Sequence, residues 1–517
     1  MAVGRTVTAA DGAPTGNVAD LVAGASANVP VHLGLVDGSG PRSLSWRQTD
    51  AAVDRYSHVL TAAGVTRGDR VAVRMSNNLP ACVALFAVLR VGAVAVPVGV
   101  DAAPREVDRV LDHSGVCFAL GVAGVTENVS PTVAELPTPE LHVDDHEPFA
   151  PVGGGEDLAL LCYTSGTAGT PRGVMLSHRA LMANVAQCAA LRPPPVSATD
   201  RVLLAVPLSH AYGLSALLQV AATGATGVLL ERFTVESALG VCHARRITAI
   251  LGVPAMYRAM TAVDRDRLGE ALVSVGLLTS GAAPLDPATF AWVREATGLV
   301  IHEGYGLTET GPVLTSTLVD GAARPGAVGK PIPGVRLRLV DADGRPVAVA
   351  EDPDEPIAAD FTDGSETGFV AARGRNLFSG YWPDGAGGPD ADGWFRTGDV
   401  GYLDADGDLR LVDRAHDLII VNGFNVYPRE VELVVGELPG VVEAAAVGVP
   451  DERAGERVKV VVVPRPGAGL TEERVVAHCA EHLARFKVPT VVEFVEALPH
   501  SVTGKLRRVG LRGPAAG

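Results

Sequence analysis

The sequence predicts an α/β protein: a large N-terminal domain of stacked α/β subdomains plus a β-rich subdomain, then a small α+β C-terminal domain. Three observations predict it. Between Arg70 and Gly252, strand-length apolar runs alternate with helix-length amphipathic runs, the rhythm of parallel sheets with helices on their faces. After about Ala327 the texture changes to short apolar segments between Asp-Gly turns, which reads as a β-rich subdomain. From about Asp417 a compact hairpin, helix, strand, strand, helix pattern begins. At 517 residues the chain is too long for one core, so two or more domains are expected.

Taken in order, Trp46 to Ala63 carries apolar residues at helical spacing. Arg70–Arg74 reads as a strand, Leu79–Val91 as a helix and Ala93–Val98 as the next strand. The rhythm returns at Val202–Val206, Leu214–Ala222, Thr226–Leu230, Val235–Ala244 and Ala249–Gly252. Gly121–Pro151 is rich in Pro and Glu and reads as a surface excursion. Val335–Leu339, Phe369–Ala372 and Leu409–Val412 are the short strands of the β-rich part, with acidic Asp341–Asp363 as a solvated loop. The last unit has hairpin Leu418–Tyr427, helix Pro428–Glu437, strands Ala444–Val449 and Val458–Val463, and helix Thr471–Leu483. The charged run Asp413–Asp417 separates the two textures, so the expected division is 1–413, a hinge at 414–416, and 417–517.

Composition excludes several classes of function. A net charge of −16 argues against a nucleic-acid partner, which needs clustered Lys and Arg, while a local loop can still hold a small anion. Six scattered cysteines form no C-x-x-C and no zinc spacing, which suits reduced thiols in the cytoplasm. The opening stretch to Gly16 is polar and lacks a signal-peptide pattern, and the longest apolar runs, Leu85–Val100 and Leu217–Leu230, are too short or interrupted to span a bilayer. Lysine occurs only at 330, 459, 487 and 505, so each is a candidate for a task that needs a compact ammonium rather than a guanidinium.

One stretch organises the rest: Tyr163 to Gly173, with three glycines, one proline, four aliphatic hydroxyls and Arg172. The apolar run Leu158–Cys162 before it reads as a buried strand. Ser177 reads as the start of a helix whose periodicity begins at Leu181. A loop between strand and helix, rich in hydroxyls and free backbone N–H groups, suits a polyphosphate. Its composition alone serves equally for a plain turn-rich surface loop. The P-loop pattern fails, because Pro171 stands five residues after Gly166 and no Lys-Ser or Lys-Thr pair exists.

Further motifs follow in order: Ser280-Gly281-Ala282-Ala283-Pro284, Gly304-Tyr305-Gly306-Leu307-Thr308-Glu309, Gly393-Trp394-Phe395-Arg396-Thr397-Gly398-Asp399, Asp413-Arg414, Asn422-Gly423-Phe424-Asn425-Val426-Tyr427-Pro428 and Thr503-Gly504-Lys505. Together they closely resemble the acyl-adenylate-forming superfamily, over about Arg42 to Arg508. The resemblance implies an AMP-forming acyl-CoA synthetase that uses ATP, Mg²⁺ and CoA. A carboxylate attacks the α-phosphorus of ATP, and cations must offset the charge that accumulates.

The resemblance also assigns roles. The β- and γ-phosphates would lie on Thr164, Ser165, Gly166, Thr167, Ala168, Gly169 and Thr170, with Arg172 where relatives usually carry Lys. Glu309, with Thr164, would hold Mg²⁺; Thr308 would donate to the α-phosphate, and Lys505 would act at the reacting centre. Tyr305 and Gly306, beside Gly281, Ala282 and Ala283, would receive adenine, while Asp399 and Arg414 would bind the ribose. His210, Gly423 and Phe424 would line the thiol path. Thioester formation would follow a swing of the mobile small domain about His416, a position where relatives carry Asp or Lys.

The acyl pocket is assigned to Tyr212, Gly213, Ala216, Gly304 and Gly306. Acetate-specific relatives fill the place of Gly306 with Trp, and malonate-type relatives carry an Arg near Gly304. A hydrophobic monocarboxylate is therefore expected, with a medium- or long-chain fatty acid ahead of an aryl acid. The expected partners are this acid, ATP and CoA, with no nucleic acid and no transmembrane segment, and with a homodimer as an allowed assembly. Two alternatives stay open: an acyl-AMP ligase that loads carrier-protein phosphopantetheine, and a non-catalytic adenylate-binding protein. Asn422 argues against luciferase chemistry, where Lys is usual.

Overall fold

The computed structural model describes residues 16–122, 133–142, 146–164, 172–349, 367–414, 417, 419–421, 424–451, 455–500 and 506–512. The chain forms two compact units, Met1–Arg336 with Ala372–Phe395, and Leu337–Ala371 with Arg396–Gly517. Most of the β-rich segment groups with the C-terminal residues. Composition marks where the sequence changes character, whereas compactness depends on which strands pair.

In the first unit, a six-stranded sheet runs Ala134–Glu135, Phe118–Leu120, Arg70–Met75, Val94–Gly99, Leu158–Thr164, Arg172–Ser177. All neighbouring pairs are parallel except the last. Val71, Ala72 and Val73 are fully buried, as expected of strands covered on both faces. Helix Leu79–Arg90 starts at Asn78, whose side chain accepts from Ala81 N, and Pro80 occupies the first turn where no N–H is missed.

The last pair corrects the sequence reading. The hydroxyl-rich stretch does not lead from strand to helix. It connects two antiparallel strands, Leu158–Thr164 and Arg172–Ser177, and helix His178–Ala189 begins only afterwards, capped by the Ser177 hydroxyl on Ala180 N. The returning strand shows only three consecutive apolar residues, Val174 to Leu176, too few to reveal a period of two.

A second sheet in this unit has nine strands, in the order Lys330–Pro331, Val313–Ser316, Ile301–Gly306, Leu277–Ser280, Ala249–Gly252, Arg201–Leu204, Thr226–Leu229, Leu33–Asp37, Ser43–Ser45. It is parallel from Ile301–Gly306 to Leu33–Asp37 and antiparallel at both margins. Candidate residues 281–283 and 306–309 follow the carboxyl ends of two adjacent parallel strands, where open α/β sheets bind ligands.

A five-stranded sheet follows in the order Pro346–Val349, Val335–Val340, Gly368–Gly374, Trp394–Leu403, Leu409–Arg414. The C-terminal sheet runs Phe424–Val426, Ile419–Val421, Gly455–Pro464, Val441–Asp451, with Val491–Phe494 parallel to Gly455–Pro464. Helices Pro428–Gly436 and Glu472–His482 close its core through Val431, Val435, Val475 and Cys479 on Val458, Val460 and Val462. Among the described residues no helix is long and apolar enough to cross a membrane.

Candidate functional site

The ends of the hydroxyl-rich stretch face each other, Thr164 opposite Arg172 and Tyr163 opposite Gly173. Residues 165–171 lie outside the described residues, so of the phosphate-loop candidates Ser165, Gly166, Thr167, Ala168, Gly169 and Thr170 are not placed. Gly173 has no room for a side chain: a Cβ there would lie 2.9 Å from Leu161 Cδ1 and 3.1 Å from Trp382 Cβ. Leu161 lies on the facing strand, whereas Trp382 belongs to segment 379–386, which is laced onto the returning strand. Trp382 N donates to Gly173 O (2.8 Å), Met175 N to Gly380 O (3.1 Å) and Ser379 N to Met175 O (2.9 Å).

The same segment reaches Glu309. Tyr381 Oη donates to Glu309 Oε1 at 2.8 Å, Phe378 N donates to Glu309 O at 2.9 Å, and the Arg172 guanidinium lies 5.0 Å from the centre of the Tyr381 ring. Glu309 sits in a single 3₁₀ turn, Thr308–Thr310. Asn376 Nδ2 secures the turn by donating to Thr310 O (2.7 Å). Burial, the Glu309 charge and the bond to Glu309 all raise the Tyr381 phenol above its usual range, so it stays a neutral donor. Burial also pushes the Cys162 thiol up to about 12, with the Glu309 carboxylate adding to the effect. Sequence reasoning missed Tyr381. The available signal was a Tyr-Trp pair between Gly380 and Pro383 in a chain that is only 5% aromatic.

Next to this turn, Tyr305 is nearly buried and pairs with Thr315 across antiparallel strands. A Cβ on Gly306 would fall 1.8 Å from Pro312 O. The Pro312 main chain therefore excludes a side chain at 306, and this glycine by itself does not signal a deep acyl pocket. Gly304 is less crowded, with Thr315 O at 3.0 Å from a Cβ position.

Ala282 holds a left-handed backbone at φ 70°, a conformation that costs a non-glycine residue about 1 kcal/mol and that recurs at ligand sites. Before it, the Ser280 hydroxyl is buried and has no hydrogen-bond partner among the described residues. The Tyr212 ring packs on Gly281, whose Cβ position is 3.3 Å from Tyr212 Cζ, and Tyr212 Oη bonds Thr279 Oγ1 at 2.9 Å. Helix Ala211–Thr223, which carries Tyr212, Gly213 and Ala216, is thereby fastened to the candidate nucleotide loop. Gly213 meets Pro207 O at 2.4 Å from a Cβ position, so its small size serves backbone packing, and Ala216 is buried. His210 is the N-cap of this helix: Nδ1 accepts from Tyr212 N at 3.2 Å, which leaves the proton on Nε2.

In the second unit, strands Trp394–Leu403 and Leu409–Arg414 pair Asp399 with Arg414. Asp399 is nearly buried, and its N–H bonds the Thr397 hydroxyl at 3.2 Å, beside Gly398 at φ 79°. The tail after Lys505 is anchored by Arg508, whose Nη2 bonds Glu432 Oε1 (2.8 Å) and whose Nη1 bonds Asp417 Oδ2 (3.4 Å). His416, Gly423 and Lys505, and the side chains of Arg414 and Phe424, lie outside the described residues. Elsewhere in this unit Glu437, His478 and His482 each bring one ligand atom within 4.8 Å of the others. The two imidazoles already bond main-chain carbonyls, His478 Nε2 with Val434 O and His482 Nδ1 with His478 O.

Two family models match the chain. Residues 24–382 match the AMP-binding enzyme family and residues 430–505 match the AMP-binding enzyme C-terminal domain. The chain belongs to the AMP-binding enzyme family. It is 36% identical over 482 residues to a feruloyl-CoA synthase of Amycolatopsis sp, covering 92% of this chain and 94% of the relative. It is 33% identical over 504 residues to a long-chain-fatty-acid–CoA ligase of Salmonella typhimurium, with 88% and 87% covered. Among solved structures, ATP-bound MatB from Rhodopseudomonas palustris superposes with a TM-score of 0.85 at 32% identity, over 96% and 98% of the chains. The protein is accordingly an AMP-forming acid–CoA ligase of α/β fold, with ATP, CoA and a small-molecule acid as substrates.

Proposed function

We propose that this ligase activates a hydrophobic monocarboxylic acid, fatty or aryl, through an acyl-adenylate and then passes the acyl group to CoA. The observation that carries the choice of acid is the Tyr212–Gly281 packing. It sets a helix with apolar Ala211, Leu214 and Ala216 directly on the loop proposed to receive adenine. Two relatives support the same class, one named for feruloyl-CoA and one for long-chain fatty acids.

In this reading Thr164 to Thr170 and Arg172 bind the β- and γ-phosphates, which leave as pyrophosphate. Tyr305 offers its ring to adenine beside Gly281–Ala283, Asp399 and Arg414 take the ribose hydroxyls, and Thr308 donates to the α-phosphate. Lys505 stabilises the negative charge on the carboxylate and α-phosphate oxygens as the anhydride forms. Glu309 and Thr164 offer a carboxylate and a hydroxyl, the hard oxygen donors magnesium prefers, and Glu309 is nearly buried with Tyr381 holding one oxygen. When bound, Mg²⁺ would offset charge on the phosphates. For the second half-reaction His210, Gly423 and Phe424 would border the path of the thiol. A swing of the C-terminal domain about His416 would take Lys505 out of the reacting geometry.

The test is pyrophosphate release over a panel of aryl and fatty acids, each with and without CoA. Thioester that appears only with ATP, Mg²⁺ and CoA together supports the reading, and the preferred acid names the substrate class. Adenylate that accumulates regardless of CoA would reject it in favour of carrier-protein loading.

A further inference from the structure

Tyr381 is a phenol that holds a near-buried carboxylate on one side and an arginine on the other. Its hydroxyl donates to Glu309 Oε1 at 2.8 Å, and its ring face lies under the Arg172 guanidinium at 5.0 Å. The ring is itself fixed: Phe378 packs against it edge-on with centroids 5.1 Å apart, and Tyr381 N donates to Ala386 O at 2.9 Å. Val174, two residues past Arg172, forms an antiparallel bridge with Tyr381. The segment 379–382 thus joins the strand that leaves the phosphate-loop candidate to the carboxylate in the 308–310 turn.

We propose that Tyr381 is a positioning residue for Glu309, setting the plane of its carboxylate so that the second oxygen is presented to the metal of Mg·ATP. Arg172, stacked on the same ring, ties that orientation to the strand returning from the phosphate loop. The proposal rests on the reading above in which Glu309 is the metal-binding carboxylate. A hydroxyl-to-carboxylate bond is among the stronger kinds, and in a nearly buried site losing it frees the carboxylate to rotate. The ring's cation–π contact needs only the aromatic face, so Phe at 381 keeps it and removes the hydroxyl alone.

The experiment is calorimetric binding of ATP to the full chain with Mg²⁺ and, separately, with EDTA, for the wild type, Tyr381→Phe, Glu309→Gln and the double variant. Wild type binds Mg·ATP more tightly than metal-free ATP. Tyr381→Phe loses about tenfold of that difference, its metal-free affinity does not change, and the double variant is no weaker than Glu309→Gln alone. Thermal unfolding of each variant reports whether the fold is intact. A Tyr381→Phe protein that keeps the full Mg²⁺ dependence overturns the proposal, as does a further loss in the double variant. A wild type whose ATP affinity ignores Mg²⁺ overturns the assignment of Glu309, and the proposal with it.

Discussion

Asp399 and Arg414 are cross-strand partners: the antiparallel register of Trp394–Leu403 and Leu409–Arg414 sets them opposite each other although fifteen positions separate them in the chain. The ribose role is proposed for both, with the Asp399 carboxylate as the acceptor for the hydroxyls. Asp399→Asn keeps the shape and removes the charge. Because hydrogen bonds to a charged group are worth about 1.5–3 kcal/mol, against about 1 for neutral pairs, ATP and AMP affinity should each fall roughly tenfold. Equilibrium titration with both nucleotides checks this, and loss for ATP alone would move Asp399 away from the ribose.

Lys505→Ala should abolish pyrophosphate release while largely sparing thioester formation from supplied acyl-adenylate and CoA. The two half-reactions are measured separately. Equal loss in both would reject the assignment of Lys505 to adenylation only.

Gly306→Ala is expected to damage the fold more than the chemistry. Its Cβ would overlap Pro312 O at 1.8 Å, so the 306–312 turn must open, at a cost of about 1–3 kcal/mol or more. A lowered melting temperature is the readout. An unchanged one would show that the turn yields easily, and would restore Gly306 as a marker of pocket size.

Acid should weaken the protein through His178. It is fully buried, Nδ1 accepts from Val18 N at 2.9 Å, Nε2 has no hydrogen-bond partner among the described residues, and burial lowers its pKa to about 4 despite the nearby Asp157 charge. In the unfolded chain the imidazole takes a proton near its ordinary 6.5. Between those values the unfolded state binds the extra proton, so stability from this group is complete above pH 6.5 and is lost as pH falls towards 4. The slope is up to ~1.4 kcal/mol per pH unit, or about 3 kcal/mol over the window. Urea unfolding from pH 7.5 to 4.5 measures it, and His178→Gln should flatten the slope. An unflattened slope would assign the acid sensitivity to other groups.

Arg172→Ala removes both a cation at the loop's end and the cover over Tyr381. A modest rise in the KM for ATP, a few-fold, is expected at this exposed position. An unchanged KM would show that Arg172 does not act on the phosphates.

The sequence alone determined the α/β class, because hydrophobic period is local: the helix after Leu79, the strand before Tyr163 and the Ser177 cap are each written within a dozen residues. It also carried the family, since Glu309, Asp399 and Lys505 stand in ordered motifs that need no coordinates to be recognised. Register and close approach lay beyond it. That Thr164 faces Arg172 across a hairpin, and that Pro312 forbids a side chain at 306, depend on backbones brought together by the turns between them. The bond from Tyr381 to Glu309 spans seventy-two positions, and no local period encodes it. Only the tertiary structure decided these, because such contacts arise when whole sheets pack, and a linear pattern records which face a residue prefers but not which residue it will meet there.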